Sequence, residues 1–337
     1  EDRRHQERAR TRATVTRAGL IADPLRLVGV GVGAYLATSA DDGKPAPKAD
    51  GVLENAAISQ EENPAPGIVW YADGQLHLDH SVLAVEGLKD MTRIGTGVVY
   101  GDDQGRVVYA ADDGSREVLG HKDPEVPVAA TDETGWAAWV ETEGDQPKLV
   151  IKEAATGTAV ASVVVSSDAR VVAVDGDIAY FMDAAGAHAV LPGAKPVIRP
   201  VTPAPLLDVR SRIQAFQVGP GAIQVVQSLF DVEFVLPGEG ATLAPDGDTV
   251  ATRLPDSDDA VAVYDTRSGA ELPNGVPEGD LVVAFAPGDR LAMAYIVAPT
   301  GQSPGRELEL RICDLDTTQC AVAARIPNQG GTPVLAR

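Results

Sequence analysis

The sequence predicts an all-β chain: a seven-bladed β-propeller sealed by its C-terminal strand and preceded by a basic N-terminal arm. Three observations predict it. First, short β-branched runs recur between Pro/Gly/Asp/Ser clusters, the pattern of antiparallel strands joined by tight turns. Gly240 to Glu271 holds a full set: Ala241–Ala244, a Pro245-Asp246-Gly247 turn, Thr249–Leu254, Ala260–Tyr264, an Asp265–Gly269 turn, then Ala270–Leu272. Second, this four-strand unit repeats at about the ~40-residue length of a propeller blade, and no stretch keeps a helical period. Third, the first unit lacks an opening strand, while the chain ends on a spare one, Thr332–Ala336, after Gly330-Gly331. Units whose ends complete one another close into a ring and leave no exposed sheet edge at the join.

The units follow in order from Gly67. Unit one is Ile68–Tyr71, Gln75–Asp79 and Val82–Val85. Unit two is Met91–Gly95, Gly97–Tyr100, Arg106–Ala110 and Ser115–Leu119. Unit three is Val126–Ala130, Trp136–Glu141, Lys148–Lys152 and Thr158–Val165. Unit four is Arg170–Val174, Ile178–Met182, Ala187–Leu191 and a weak outer strand near Pro196–Arg199. Unit five is Leu206–Arg210, Ile213–Val218, Ile223–Ser228 and Val232–Leu236. Unit six is the stretch above, and unit seven is Leu281–Ala286, Arg290–Val297, Glu307–Cys313 and Cys320–Ile326. The weakness of unit four leaves six or eight blades open. A β-sandwich is the competing architecture, but it does not account for the recurrence.

Length and charge set outer limits. A chain of 337 residues can bury a large core, and aromatic residues are only 4 %, so that core is built mostly from Val, Ala, Leu and Ile. The formal charge is −21. Residues 1–17 carry six arginines against Glu1, Asp2 and Glu7, a local +3 that leaves the rest at −24. A body that acidic repels phosphates, which argues against nucleic-acid binding. Solubility accounts for the charge more simply than a dedicated cation site does.

Three regions are expected: a basic segment 1–38, a Pro/Gly-rich linker 39–66 and the propeller 67–337. Within the first, Leu27–Ala37 is apolar but shorter than the ~20 residues of a membrane-spanning helix, and extension back to Ala18 takes in Asp23, Pro24 and Arg26. Two readings stand, a degenerate membrane anchor with its basic side inward and an irregular or strand-like segment packed on the domain. Alternating glycines from Gly29 to Gly33 have the wrong spacing for a dinucleotide fingerprint, and no βαβ pattern follows.

Leu243-Ala-Pro-Asp-Gly-Asp-Thr-Val-Ala251 and Phe285-Ala-Pro-Gly-Asp-Arg-Leu-Ala292 resemble the F-S-P-D-G-x-x-L-A phrase of WD40-like and TolB-like propeller repeats. Val263-Tyr-Asp-Thr-Arg-Ser-Gly269 is similar to the turn before their outer strand, and Ile151–Gly157 and Ile312–Thr318 keep its spacing. No repeat carries the Gly-His and Trp-Asp signatures of strict WD40 repeats together. With the Arg-rich lead-in, the Pro-rich linker and the Gly120-His-Lys-Asp-Pro124 junction, the chain looks like extracytoplasmic propellers of actinobacteria. That resemblance implies fold and a cell-envelope location, and it carries no activity.

Aligning those turns sets Cys313 opposite Cys320, in the register that sets Tyr264 opposite Glu271. Directly opposed cysteines on antiparallel strands come within disulfide reach. A structural disulfide Cys313–Cys320 implies an oxidising compartment. The alternatives are two reduced surface cysteines or a redox-active pair. A zinc site lacks partners, since no C-x2-C or histidine accompanies the pair.

No catalytic, cofactor-binding or metal-binding residue is assigned. His77 and His80, at i and i+3, point to opposite faces of one strand and are expected as exposed polar residues. His121 and His188 lack a neighbouring carboxylate–histidine pattern. Asp175-Gly-Asp177, Asp246-Gly-Asp248 and Asp256-Ser-Asp-Asp259 offer carboxylates without calcium-loop spacing; aspartate is an ordinary turn former. Trp70, Trp136 and Trp139 are expected to pack between blades rather than form a ligand platform. No phosphate loop or His-Glu-x-x-His occurs.

The expected function is a non-enzymatic, monomeric binding propeller displayed outside the cytoplasmic membrane. It would take a protein or small ligand at a propeller face and be tethered through the N-terminal segment. A propeller hydrolase, lyase or oxidoreductase with its site at the channel mouth is the alternative, because such sites draw residues from several blades and leave no local motif. A third reading is a sensor whose basic arm contacts anionic lipid or a cytoplasmic partner.

Overall fold

The computed structural model divides the chain into two units, Glu1–Leu36 and Ala37–Arg337. Its described residues all belong to the second: Leu53 and residues 58–65, 67–193, 195–227, 232–254, 260–276, 282–286, 292–297, 307–327 and 333–336. The basic arm, the anchor segment within 18–38, most of the linker and the Asp256–Asp259 loop lie outside them.

Seven antiparallel sheets form a ring, and the described residues contain no helix. Blades 2 to 7 each run through four consecutive strands from the channel outward. Blade 2, for example, is Leu88–Ile94, Gly97–Asp102, Arg106–Ala110 and Arg116–His121. Blades 3 to 7 open on the innermost strands Ala129–Thr131, Arg170–Asp175, Leu206–Arg210, Glu239–Leu243 and Val282–Phe285. The expected strands are found in their expected order. Blade 4, whose weakness left the blade number open, carries a full six-residue outer strand, Val197–Thr202, paired along Gly186–Leu191. Pro200 and the absence of any buried position disguise it, as suits an outermost edge where a missing N–H faces solvent.

Blade 1 is assembled from both ends of the propeller. Val334–Leu335 is its innermost strand, antiparallel to Trp70–Ala72, with Trp70 opposite Leu335 and Tyr71 opposite Val334. Ala336 N–H donates to the Val69 carbonyl and extends the join. On the outer edge Ile58–Ser59 adds a fifth strand beside Val82–Ala84, so ordered structure reaches back into the stretch read as linker.

The core is a set of apolar layers between neighbouring blades, because each sheet has two faces to cover and only its neighbours to cover them. Leu76 and Leu83 of blade 1 meet Met91 and Val98 of blade 2. Val107 and Leu119 of blade 2 meet Trp139 of blade 3, and Val140 and Ile151 meet Phe181 of blade 4. The ring closes where Trp70 and Leu335 pack on Ala294, Ile296 and Leu310 of blade 7. Small Ala and Val side chains dominate these layers and let the sheets approach closely.

Candidate functional site: the central channel

Innermost strands run side by side around the axis, so residues at equal height on different blades face one another across it. Where those strands end and turn outward, a cavity of about 220 Å³ opens, lined from all seven blades. Arg93 comes from blade 2; Thr131, Asp132 and Glu133 from blade 3; Asp175 from blade 4; Asp208, Arg210 and Ser211 from blade 5. Thr242 and Pro245 of blade 6, Phe285 of blade 7, and Ile68 and Ala336 of blade 1 complete the wall. A second cavity of about 250 Å³ lies toward the other end, lined by Thr92, Val128, Arg170, Leu206 and Ala241 among others. Asp208, Arg210 and Thr242 line both, so the Arg210 side chain stands between them.

Most of the channel carboxylates are already engaged. Asp175 accepts from the backbone N–H groups of Ser211 (2.7 Å) and Arg212 (2.8 Å) on the next blade. Asp208, set just past a bulge in its strand, accepts from Leu243 N–H of blade 6 at 2.8 Å. Asp90, past the equivalent bulge in blade 2, accepts from Val128 N–H at 2.6 Å and pairs with the buried Lys122 ammonium at 2.9 Å. A bulge re-aims a side chain, here across the blade boundary. Asp132 accepts from Gly95 N–H of blade 2. These aspartates staple neighbouring blades by taking N–H groups at or just beyond the ends of inner strands. Glu133, exposed at the mouth, makes no such bond among the described residues.

The two arginines differ. Arg93 is held at all three nitrogens: Nη2 pairs with Asp79 at 2.9 Å, Nη1 donates to the Gly67 carbonyl and Nε to the Gly95 carbonyl. Arg210 reaches across the channel to the Ala130 carbonyl at a long 3.4 Å and stands 3.9 Å from Asp208. A guanidinium has five N–H donors, so most of Arg210's hydrogen-bonding capacity faces the cavity. The Arg210–Ser211–Arg212–Ile213 turn holds both central residues at positive φ, 49° and 63°, without a glycine. That is the twist a two-residue hairpin prefers, imposed on side chains that disfavour it.

The residues singled out from sequence are placed as follows. Cys313 and Cys320 are directly opposed and disulfide-bonded in the outer hairpin of blade 7, away from the channel. The expectation for His77 is corrected: it is stacked on Trp70, with ring centroids 3.5 Å apart and planes 6° from parallel, and burial lowers its pKa from 6.5 to about 4 against a small opposing pull from Glu61. His80 is exposed. His121 and His188 do have carboxylate neighbours, His121 Nδ1 with Glu143 at 3.5 Å and His188 Nε2 with Asp183 at 2.9 Å. Strand pairing and turns bring those groups together, and linear proximity did not reveal them. Trp70 and Trp139 are buried between blades, while Trp136 packs partly buried at the boundary of blades 3 and 4. Asp246 serves its own turn by accepting from Asp248 N–H, and both Asp248 carboxylate oxygens accept from Nη2 of Arg267 on the Asp265–Gly269 turn. Among the described residues no group of three His, Cys, Asp or Glu side chains is placed to hold a metal. Also among them, no helix is long and apolar enough to cross a membrane.

None of the channel residues was assigned from sequence. A signal was present: Asp175 and Arg210 end the first strand of their units and Arg93 stands one residue before the end of its own, so aligning the units would have set them within a residue of one level of the ring.

No family model and no curated protein matches the chain. Similar solved structures are propellers of WD40 and TolB type. The WD40 repeats of RRP9 align at 12 % identity over 72 % of this chain and 81 % of that one, TM-score 0.49. TolB from Acinetobacter baumannii aligns at 14 % over 80 % and 66 %, TM-score 0.46. AztD from Citrobacter koseri aligns at 13 % over 83 % of each chain, TM-score 0.47. Likeness of this degree carries no argument about function; the chain's own seven sheets establish its fold.

Proposed function

We propose that the chain is a non-enzymatic binding propeller that acts outside the cytoplasmic membrane and takes its ligand or partner at the channel mouth. The cavity walled by all seven blades carries this reading, because ring closure alone creates it and it opens to solvent. The engaged state of Asp132, Asp175 and Asp208 also supports it: these carboxylates hold blades together, which ill suits them to move protons in a reaction. The Cys313–Cys320 disulfide supports the compartment, since such bonds persist where thiols are not kept reduced.

Several carboxylates do converge on the channel, and this favours a propeller enzyme as the second reading. Photo-crosslinking separates the surfaces. A crosslinking residue at Glu133 should form adducts in the natural host, and one at Asp103, on a turn at the opposite face, should not. Equal adducts at both positions would remove the channel mouth as the binding face. Alkylation of unreduced protein from the same cells should find no free thiol; labelling of both cysteines would remove the extracytoplasmic placement.

A further inference from the structure

We infer that the channel is a site for a small zwitterion, of the class of free amino acids and dipeptides, with the ligand carboxylate on Arg210 and its ammonium at Asp132, Glu133 and Asp175. The inference rests on the binding reading above and names its ligand. Arg210 is a four-fifths-buried guanidinium held, among the described residues, by a 3.4 Å contact to the Ala130 carbonyl and a 3.9 Å approach to Asp208. Asp208 is itself occupied by the N–H groups of Val209 and Leu243. A planar fork with spare donors inside a cavity matches a carboxylate, which it can hold with two parallel bonds.

A simple anion is the wrong ligand. Asp132, Glu133 and Asp175 line the same cavity on the mouth side, and a chain of net charge −21 repels anions before they arrive. A molecule with a cationic end is drawn to that rim, and its carboxylate then meets Arg210, the arginine of this cavity that its described neighbours hold least. Size argues the same way. At about 220 Å³ the cavity falls below the range of drug-sized sites, so the ligand is a small metabolite and not a folded segment.

The test is equilibrium dialysis of the full chain against a pool of synthetic dipeptides of glycine, alanine, serine and lysine, read by mass spectrometry. Parallel pools are blocked by N-acetylation or by C-terminal amidation. The free pool should be retained, and either blocked pool should be retained about tenfold less, the size of one lost charge-assisted contact. Glu133→Gln, an exposed change, should weaken the free pool several-fold. Arg210→Lys, which keeps charge but loses the fork, should also weaken it and narrow the gap between free and amidated pools; circular dichroism and the unfolding temperature confirm that it is folded. No retention by wild-type protein, equal retention of the amidated pool, or indifference to both substitutions would overturn the inference. Adducts at Glu133 without dipeptide retention would sink the zwitterion and leave the binding reading standing; loss of both would remove both.

Discussion

Trp70 and Leu335 face each other across two antiparallel strands, one from the start of the propeller and one from its end. Both are buried against blade 7, so the pair joins the ring and fills the layer at its seam. Leu335→Ala should therefore cost about 2–4 kcal/mol by removing a buried side chain from a layer that cannot fully collapse. Ile58→Ala, on the exposed fifth strand of the same blade, should cost well under half as much. Thermal unfolding of the two variants measures the difference, and similar losses would mean that closure does not depend on the tail.

Gly120 leaves room for Trp139. A Cβ at that position would lie 2.6 Å from the indole Cζ2, and Trp139 is fully buried between blades 2 and 3. Gly120→Ala should destabilise by about 1–3 kcal/mol, the usual cost of overpacking. Near-ultraviolet circular dichroism should register the displaced indole. An unchanged spectrum and melting curve would refute the close fit.

Burial lowers the pKa of His77 from 6.5 to about 4, which links stability to pH. The unfolded chain takes up a proton near pH 6.5, whereas the folded imidazole resists it until about pH 4. Stability is thus present above pH 6.5 and declines as pH falls toward 4. His77→Phe, which keeps a ring against Trp70, should flatten that decline. A midpoint near 6.5 in an NMR titration of His77 would show the stack to be open in solution.

Arg212 sits at φ 63° without the conformational freedom of glycine. Arg212→Gly should stabilise the chain by roughly 0.5–1 kcal/mol, since relief of left-handed strain exceeds the added entropy of the unfolded state. Urea unfolding would reveal it; destabilisation would mean that the arginine side chain contributes more than its backbone costs.

The Cys313–Cys320 bridge closes a short loop, with a sequence separation of 7. Replacing both cysteines by serine should cost about 2 kcal/mol, mainly by freeing the unfolded chain. The buried Cys313 position will add a polar-burial penalty. Cys313→Ala with Cys320→Ala isolates the crosslink, and an unchanged unfolding temperature in that variant would argue against a structural role.

The residues themselves dictated the blades. β-branched runs and Asp-Gly or Thr-Gly turns act locally, so strand order, the missing first strand and the opposed cysteines were all legible along the chain. The outer strand of blade 4 was faint because a solvent-facing edge needs little apolar signal. The channel was decided only by the closed ring. Arg210 and Ala130, or Asp175 and Ser211, meet because strand ends from different blades converge on one axis, and such convergence leaves no mark in the spacing of residues. A carboxylate in a turn reads as a turn former until the neighbouring blade supplies the N–H that it holds.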